Sequence, residues 1–338
     1  MNSLKYSPKN IDDLSFGNKE LLFNITKDPN QFISTLIYGR SGTGKRTRAY
    51  CILNELHGSG VYNIKNESKE IRKKTIFYKY SSFHMEMNPS LYGNIDIDVL
   101  KELIELNVSM NFIKTKCRYF IYIINNIDTL TDQSLNFLKN IIQKSSSHVR
   151  FILLSNNTKK LNSKILSSLF LYRNISPTKT DIYNITKDLC IKDGRELNSD
   201  QFEEIFEEIE DKYSLKRFLY IFDLSFRKDN VYTKYKQIWV EHINLIIDII
   251  KYTTIDNINE QLVFEIRSII IKILLSSFNS KYIIKNINQY FIKNNLYKNK
   301  IYEIILCSSK YEKRLLSTGK DILHLETYVY NLIDIINS

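Results

Sequence analysis

The sequence predicts an α/β domain built on a parallel sheet, followed by an all-helical region, and three observations support this fold class. Short, nearly continuous apolar runs alternate with helix-length segments through the first half of the chain, which is typical of strands covered on both faces. A glycine-rich loop joins the first of these runs to a helical pattern. After Pro177 the strand signal disappears and amphipathic helical patterns follow. We therefore predict three domains, over residues 1–176, 177–230 and 231–338.

Each predicted element follows from its apolar spacing. Four runs share the strand pattern: 34–39, 74–81, 118–126 and 149–157. Three intervening segments share the helical spacing: 45–57, 97–107 and 131–144. The middle domain contains three helical patterns, and we expect Ser199 to be the N-cap of the second. Ile- and Leu-rich helical stretches with short polar breaks fill the last domain, which predicts a helix bundle.

The composition excludes several classes of protein. The 338 residues are 43% apolar and 25% charged, which is ordinary globular usage and excludes wholesale disorder. The net charge is +11, yet residues with AT-rich codons are abundant throughout, so the charge alone is weak evidence for a nucleic-acid partner. The four cysteines form no CxxC pair, which argues against a disulfide scaffold and a zinc site. No apolar run has the length of a secretory signal or a spanning helix, so we expect a soluble intracellular protein without a membrane partner.

The strongest motif is the loop after the first strand, where GRSGTGK over residues 39–45 fits the P-loop pattern GxxxxGK. The chain has only 9 glycines, and three of them fall in this loop. Such a loop turns its backbone amides toward a phosphate, the next helix offers its positive N-terminus, and the lysine bridges the terminal phosphates. The motif and the two residues after it predict these nucleotide-binding residues: Gly39, Arg40, Ser41, Gly42, Thr43, Gly44, Lys45, Arg46 and Thr47.

Two departures from the pattern of P-loop enzymes predict poor hydrolysis. The residue after the lysine, where a Ser or Thr hydroxyl normally holds Mg²⁺, is Arg46, and Thr47 comes one position late. A neighbouring strand should end in an aspartate for Mg²⁺ and a glutamate that polarises water, but run 118–126 ends in Asn125 and Asn126. An asparagine amide cannot act as a base. We therefore expect nucleotide binding with weakened Mg²⁺ binding and no catalytic residues.

Asp128 is the acid nearest to these two asparagines. It lies two residues beyond Asn126, so a catalytic role and a structural role are both open. We favour the structural role, as a cap for the helix that starts near Thr131.

The order of these motifs resembles the small subunits of replication factor C, a sliding-clamp loader of the AAA+ class, across nearly the whole chain. The resemblance is carried by LKYSP (4–8), YGRSGTGKRTR (38–48), FHMEMNPSLYGN (83–94), IINNIDTLT (123–131), FILLSNNTKKL (151–161), SLKRFL (214–219) and YEKRLLSTGKDILHLETYV (311–329). The third of these segments resembles one particular to the family's third small subunit type. The resemblance implies an AAA+ nucleotide-binding domain, then a helical lid, then a helical collar that joins subunits.

The resemblance also implies nucleotide contacts outside the P-loop, with ATP or ADP as the ligand. Asn156 falls at a sensor position, where its amide would contact the γ-phosphate, and a plain turn residue is the alternative. Lys216 stands where the second-domain sensor arginine sits, and a lysine meets phosphate without the bidentate fork. Tyr6 matches an N-terminal element that packs near the adenine.

The family's arginine finger, which reaches the nucleotide of a neighbouring subunit, has no counterpart in the matching motif. Its position is occupied by Ser168, and serine carries neither the charge nor the reach. Arg173 and Arg150 are the nearby arginines. With Asn125 and Asn126, this loss implies a structural and nucleotide-sensing subunit of an ATP-dependent complex, with its own ATPase activity absent or very low.

The resemblance implies partners and a place of action as well. These are other clamp-loader subunits in a hetero-pentamer, the ring-shaped sliding clamp and primer-template DNA, in a nucleus or a viral replication compartment. Clamp loaders hold DNA by its phosphates. Candidate contacts are Lys139 and Lys144, with Lys114, Lys116 and Arg118 as further candidates, and an ordinary solvated surface is the alternative for each.

Two other functions stay open. A self-sufficient AAA+ ATPase, such as an initiator or a helicase loader, would need catalytic groups that Asn125, Asn126 and Ser168 do not supply. A purely architectural subunit that binds no nucleotide would have no need of the intact P-loop glycines.

Overall fold

The computed structural model describes residues 6–108, 119–144, 148–159, 161–208, 214–225, 231–254, 259–275, 280–317 and 321–337. The chain divides into two compact units, Met1–Phe226 and Arg227–Ser338. The further division near residue 177 stays a prediction.

A sheet forms the centre of the N-terminal unit. Its described strands are β1 Thr35–Tyr38, β2 Lys65–Ile71, β3 Lys74–Tyr80, β4 His84–Met87, β5 Phe120–Ile124, β6 Val149–Ser155 and β7 Phe170–Arg173. Their order across the sheet is β2-β3-β4-β5-β6-β1-β7. The neighbouring strands β4, β5, β6, β1 and β7 pair in parallel. Strands β2 and β3 form an antiparallel hairpin at one edge, and β3 is also antiparallel to β4.

The helices of the same unit lie before, between and after these strands along the chain. They are α1 Lys19–Thr26, α2 Lys45–His57, α3 Asp96–Val108, α4 Asp132–Lys144, α5 Ser163–Leu166, α6 Lys179–Lys192, α7 Ser199–Glu208 and α8 Leu215–Ser225. The strand side chains divide between two apolar clusters. On β5, Phe120, Tyr122 and Ile124 pack into one cluster while Ile121 and Ile123 pack into the other. Both faces of the sheet are therefore covered, which explains why this strand is an uninterrupted apolar run.

The structure confirms the predicted fold class and adds three strands that the apolar pattern does not reveal. Strand β2 has the sequence KNESKEI and is largely exposed, because it forms the outer half of an edge hairpin. Strands β4 and β7 are each four residues long, too short for a clear pattern. The antiparallel edge is consequently absent from the sequence-based expectation of a parallel sheet.

One predicted cap is wrong. Helix α7 includes Ser199 as its first residue, and its N-terminus is capped by the preceding Asn198. The Asn198 side-chain oxygen accepts from the backbone amide of Asp200 at 2.9 Å, and its carbonyl accepts from Phe202 at 3.1 Å. Asparagine and serine are comparable N-caps, so the adjacent Asn198 and Ser199 leave the predicted start of the helix ambiguous by one residue.

The described part of the C-terminal unit is helical. Its helices are α9 Val231–Tyr252, α10 Glu260–Leu275, α11 Ser280–Lys293, α12 Ile301–Ser317 and α13 Asp321–Asn337. Their buried isoleucines form one apolar cluster, and Arg267 pairs with the buried Glu326 at 2.5 and 3.0 Å. None of the helices in the described residues has the length and apolarity needed to cross a membrane.

Candidate nucleotide site

The loop between β1 and α2 is held in shape by close backbone packing. At Gly39 a Cβ atom would lie 2.2 Å from the carbonyl oxygen of Asn174. Gly42 has φ +78°, and a Cβ there would lie 2.0 Å from the hydroxyl oxygen of Ser214. Only glycine fits two such approaches, so these residues are dictated by the geometry of the loop.

Asn174, directly after β7, supports the loop from the side. Its Nδ2 group donates to the Thr43 hydroxyl at 2.7 Å and to the Thr43 carbonyl at 3.1 Å. The Thr43 hydroxyl in turn donates to the carbonyl of Arg40 at 2.8 Å. Thr43 is fully buried, whereas Arg40 and Ser41 are exposed at the tip of the loop. The sequence analysis missed Asn174, because nothing in its local sequence marks a contact with a loop 131 residues away.

The Lys45 ammonium lies inside this loop. Its Nζ atom donates to the carbonyl oxygens of Gly39 at 2.6 Å and Arg40 at 2.7 Å, and to the side-chain oxygen of Asn156 at 3.0 Å. Burial lowers the pKa of Lys45 to about 8, although the nearby Asp128 carboxylate acts in the opposite direction. The structure therefore brings together four of the predicted nucleotide-binding residues: Gly39, Arg40 and Lys45 of the P-loop, and Asn156 directly after β6.

Asp128 does not cap a helix, contrary to the favoured expectation. Its Oδ1 atom accepts from the backbone amide of Asn156 at 3.2 Å, and the residue is only 7% exposed. The first turn of α4 is instead bonded by Thr131, whose hydroxyl accepts from the Ser134 amide at 3.4 Å. Asp128 thus joins the end of β5 to the end of β6, beside Lys45.

Arg46 and Asn125, the two positions that depart from the Mg²⁺-binding pattern, meet at a third residue, Glu86 of β4. The Arg46 Nη2 atom lies 2.5 Å from Glu86 Oε2, and the Asn125 Nδ2 atom lies 3.0 Å from Glu86 Oε1. The Tyr50 hydroxyl also donates to Glu86 Oε2, at 2.7 Å. Burial alone would raise the pKa of Glu86, but the Arg46 charge and these donors hold that pKa below its usual range.

Glu86 was not among the predicted site residues. The signal for it is that Glu86 is a single acid inside the short apolar strand HMEM. In the fold, Glu86 is 6% exposed. Buried carboxylates are rare unless they are paired, so an acid in such a run indicates a partner elsewhere in the chain. The sequence does not say which cation the partner is.

Asn126 forms a turn and contributes its backbone. Its φ is +53°, in the left-handed region that asparagine tolerates better than most residues. Its carbonyl accepts from the amide of Thr129 at 3.1 Å and from the Thr129 hydroxyl at 2.8 Å. The positive φ of this turn therefore explains why an asparagine is found at position 126, whether or not the residue has a role in ATP hydrolysis.

Two further predicted nucleotide contacts, Lys216 and Tyr6, form hydrogen bonds with different parts of the unit. The backbone amide of Lys216, in the first turn of α8, donates to the Gly42 carbonyl at 3.0 Å, while its side chain is exposed. The Tyr6 hydroxyl donates to the carbonyl of Lys192 at 3.3 Å, at the end of α6. Helix α8 therefore touches the P-loop through its backbone. Thr47 lies half-buried on α2, about 100° around the helix from Arg46.

The finger position and the predicted DNA contacts lie on the outer parts of the unit. The Ser168 hydroxyl donates to the Lys164 carbonyl at 3.3 Å and accepts from Gln143 at 3.4 Å. Lys139 is half-buried and Lys144 is exposed on α4, about 140° apart around the helix. The further candidates lie outside the described residues: Lys114, Lys116 and Arg118.

Of the two arginines near the finger position, Arg150 is already engaged in the fold. Its Nε atom donates to the carbonyl of Phe32 at 2.7 Å, and its guanidinium lies over the Tyr119 ring. Arg173 is exposed at the end of β7.

The chain is similar to curated proteins over most of its length. Replication factor C subunit 5 of Neurospora crassa is 26% identical over 336 residues, which cover 96% of this chain and 94% of that protein. The chain is thus similar in sequence to a replication factor C subunit over nearly its whole length. Replication factor C subunit 3 of Homo sapiens is 31% identical over 204 residues, and subunit 5 of Saccharomyces cerevisiae is 30% identical over 210 residues. These two matches span just over half of the relatives' length, 57% and 59%.

The replication factor C relatives confirm the resemblance stated from the motifs. Among solved structures, a DNA polymerase III gamma subunit-related protein from Thermotoga maritima matches with a TM-score of 0.45, 11% identity and coverage of 94% of this chain and 98% of that one. The Thermotoga maritima RuvB Holliday junction branch migration motor has a TM-score of 0.47 and 14% identity, with coverage of 73% and 79%. No protein-family model matches the chain.

Proposed function

We propose that this chain is a nucleotide-binding small subunit of a replication factor C-like clamp loader, and that it hydrolyses little or no ATP itself. The observation that carries the proposal is an intact P-loop around Lys45, with Asn125, Asn126 and Ser168 at the positions of the acidic pair and the finger. The replication factor C relatives support the assembly to which the subunit belongs.

Nucleotide binding follows from the charges at the loop. Among the described residues, the hydrogen-bond partners of the Lys45 ammonium are neutral oxygen atoms, the two loop carbonyls and the Asn156 side chain. A terminal phosphate is a stronger acceptor than these neutral oxygens, so it would replace them as the partner of the ammonium. The N-terminus of α2 adds its own positive potential at the same place.

Weak hydrolysis follows from the groups that face the loop. Asn125 directs its Nδ2 group at Glu86, and Asn126 is used in a turn. Neither amide can accept a proton from water. Ser168 carries no charge for a neighbouring subunit's nucleotide. ATP or ADP would therefore act in this subunit as a bound ligand that stabilises the assembly.

The proposed assembly is a hetero-pentamer with other clamp-loader subunits that loads a ring-shaped sliding clamp onto primer-template DNA. The C-terminal helices would form the collar between subunits, and Lys139 and Lys144 on α4 would contact the DNA phosphates. The site of action would be the nucleus.

Two measurements on the purified chain test the nucleotide part of the proposal. Equilibrium titration should show saturable binding of ATP or ADP, weakened at least about tenfold by Lys45→Ala. Lys187→Ala, which removes an exposed lysine of α6, is the matched control and should bind as the parent chain does. A steady-state ATPase assay with primed DNA should show negligible turnover.

The outcomes separate the rival functions. Brisk DNA-stimulated hydrolysis that disappears in Lys45→Ala would favour a self-sufficient ATPase such as an initiator or helicase loader. No saturable binding of either nucleotide would favour a purely architectural subunit. The assembly itself is tested by purification from the native source, which should recover other clamp-loader subunits and the ring clamp.

A further inference from the structure

Arg46 and Asn125 occupy the two positions that hold Mg²⁺ in P-loop enzymes, and both contact one carboxylate. Glu86 Oε2 lies 2.5 Å from Arg46 Nη2 and accepts from Tyr50 at 2.7 Å, while Glu86 Oε1 accepts from Asn125 at 3.0 Å. The carboxylate is 6% exposed and lies on β4, the strand beside β5. The usual metal positions are therefore replaced by a built cluster of one acid, one guanidinium and two neutral donors.

This cluster does not fit Mg²⁺. The ion requires a near-octahedral shell of oxygen ligands, usually with one or two carboxylates. Both oxygens of Glu86 already accept hydrogen bonds, and the Arg46 charge beside them repels a second cation. The described residues contain no group of three His, Cys, Asp or Glu side chains that could hold a metal ion.

Arg46 is positioned to interact with an anion. It stands in the first turn of α2, next to Lys45, and its guanidinium lies 5.4 Å from the centre of the Tyr50 ring. Its Nη2 atom donates to Glu86, its side chain also interacts with Tyr50, and a guanidinium has five N–H donors, more than these two neighbours use. The side chain is 48% exposed. Glu86 and Tyr50 thus fix one edge of the guanidinium and leave the rest accessible.

We propose that Arg46 takes the place of Mg²⁺ in this site, so that the chain binds a nucleoside polyphosphate as the metal-free anion. This inference rests on the proposed function, because it requires a nucleotide in the P-loop. A guanidinium supplies a permanent positive charge and several hydrogen-bond donors to phosphate oxygens. Glu86 is the positioning residue for Arg46, and Asn125 donates to its other oxygen.

The test compares nucleotide affinity with and without the metal. A fluorescent ADP analogue is titrated into the purified chain in EDTA and again in millimolar Mg²⁺. We expect the two dissociation constants to agree within about threefold, because the Mg²⁺-binding groups are absent. Binding that is more than about tenfold tighter in Mg²⁺ would overturn the inference.

Variants show whether Arg46 is responsible. Arg46→Thr/Glu86→Gln removes the cation without leaving a buried unpaired carboxylate, and should weaken binding in EDTA at least about tenfold. Arg46→Lys keeps the charge and should retain most of the binding in EDTA. Arg46→Thr/Asn125→Asp restores the usual metal positions and should bind at least about tenfold more tightly in Mg²⁺ than in EDTA.

The control and the remaining outcomes keep the two proposals apart. Arg72→Asn removes an exposed arginine that pairs with Asp98 at the edge hairpin, and should not change the ratio of the two constants. Thermal melts without nucleotide identify any variant that fails to fold. Saturable binding of the parent chain in Mg²⁺ only would overturn the role of Arg46 and leave the proposed function standing. An absence of binding in both buffers would overturn both.

Discussion

The Lys45 ammonium lies 3.0 Å from the side-chain oxygen of Asn156, although 111 residues separate the two in the chain. The contact joins the start of α2 to the end of β6, and two loop carbonyls complete the surroundings of the ammonium. This enclosure lowers the pKa of Lys45 to about 8, against the opposing effect of Asp128. The protonation state of the site therefore depends on pH in a range that can be measured.

We expect nucleotide affinity to fall as the pH rises from 7 through the Lys45 pKa of about 8, because phosphate binding needs the ammonium form. The measurement is a nucleotide titration at several pH values at constant ionic strength. Lys45→Arg is the control, since its guanidinium stays charged throughout this range. Equal affinity across the range in the parent chain would contradict the prediction.

The stability of the nucleotide-free chain should change in the opposite direction. The folded pKa of about 8 lies below the value of roughly 10.4 for an unfolded lysine, so the unfolded state binds more protons between these values. The contribution of Lys45 to the free energy of unfolding therefore rises with pH in that window. Chemical denaturation of the parent chain and of Lys45→Met shows this as a difference in slope, and parallel slopes would refute it.

Gly42→Ala should destabilise the N-terminal unit by about 2–4 kcal/mol, through its positive φ and its clash with Ser214. Gly194→Ala is a matched control, because Gly194 also has a positive φ, +67°, and nothing within 4 Å of the added Cβ. Its cost should be only about 1 kcal/mol. Urea denaturation of the two variants isolates the clash, and equal losses would show that Ser214 moves away freely.

Glu86 should contribute stability that disappears in acid. Its folded pKa lies below the unfolded value of about 4.3, so the contribution is present above that value and is lost as the pH falls through the folded pKa. Glu86→Gln should flatten this part of the stability profile and cost about 1–3 kcal/mol at neutral pH. Glu203→Gln, which removes an exposed partner of Lys179, should leave the acid profile unchanged.

The proposed DNA contacts can be tested in the assembled complex by salt dependence. Each phosphate contact that is lost should reduce the slope of log affinity against log salt by about 1, so Lys144→Ala should show this decrease on primer-template DNA. Lys139→Ala should show the same decrease, because the proposed function places both lysines on DNA phosphates. Lys187→Ala serves again as the control. An unchanged slope for Lys144→Ala would place this lysine away from the DNA.

The apolar periodicity and the positions of glycine and proline in the sequence predicted much of the fold. The segment 45–57 coincides with α2, and the run 118–126 contains β5, because a strand buried on both faces and a helix after a P-loop have strong local patterns. The edge strand β2 escaped prediction, since its side chains are mainly exposed and its pairing with β3 supplies the order.

The sequence by itself determined the P-loop, because the glycines and Lys45 act within a few residues of one another. Only the tertiary structure decided what surrounds it. Glu86 of β4 reaches Arg46 of α2, and Asn174 after β7 reaches the loop, because the strand order of the sheet places them there. Local sequence has no signal for such contacts, since burial and charge pairing depend on which strands become neighbours. The ion pair between Arg46 and Glu86 is visible only once β4 and α2 lie side by side.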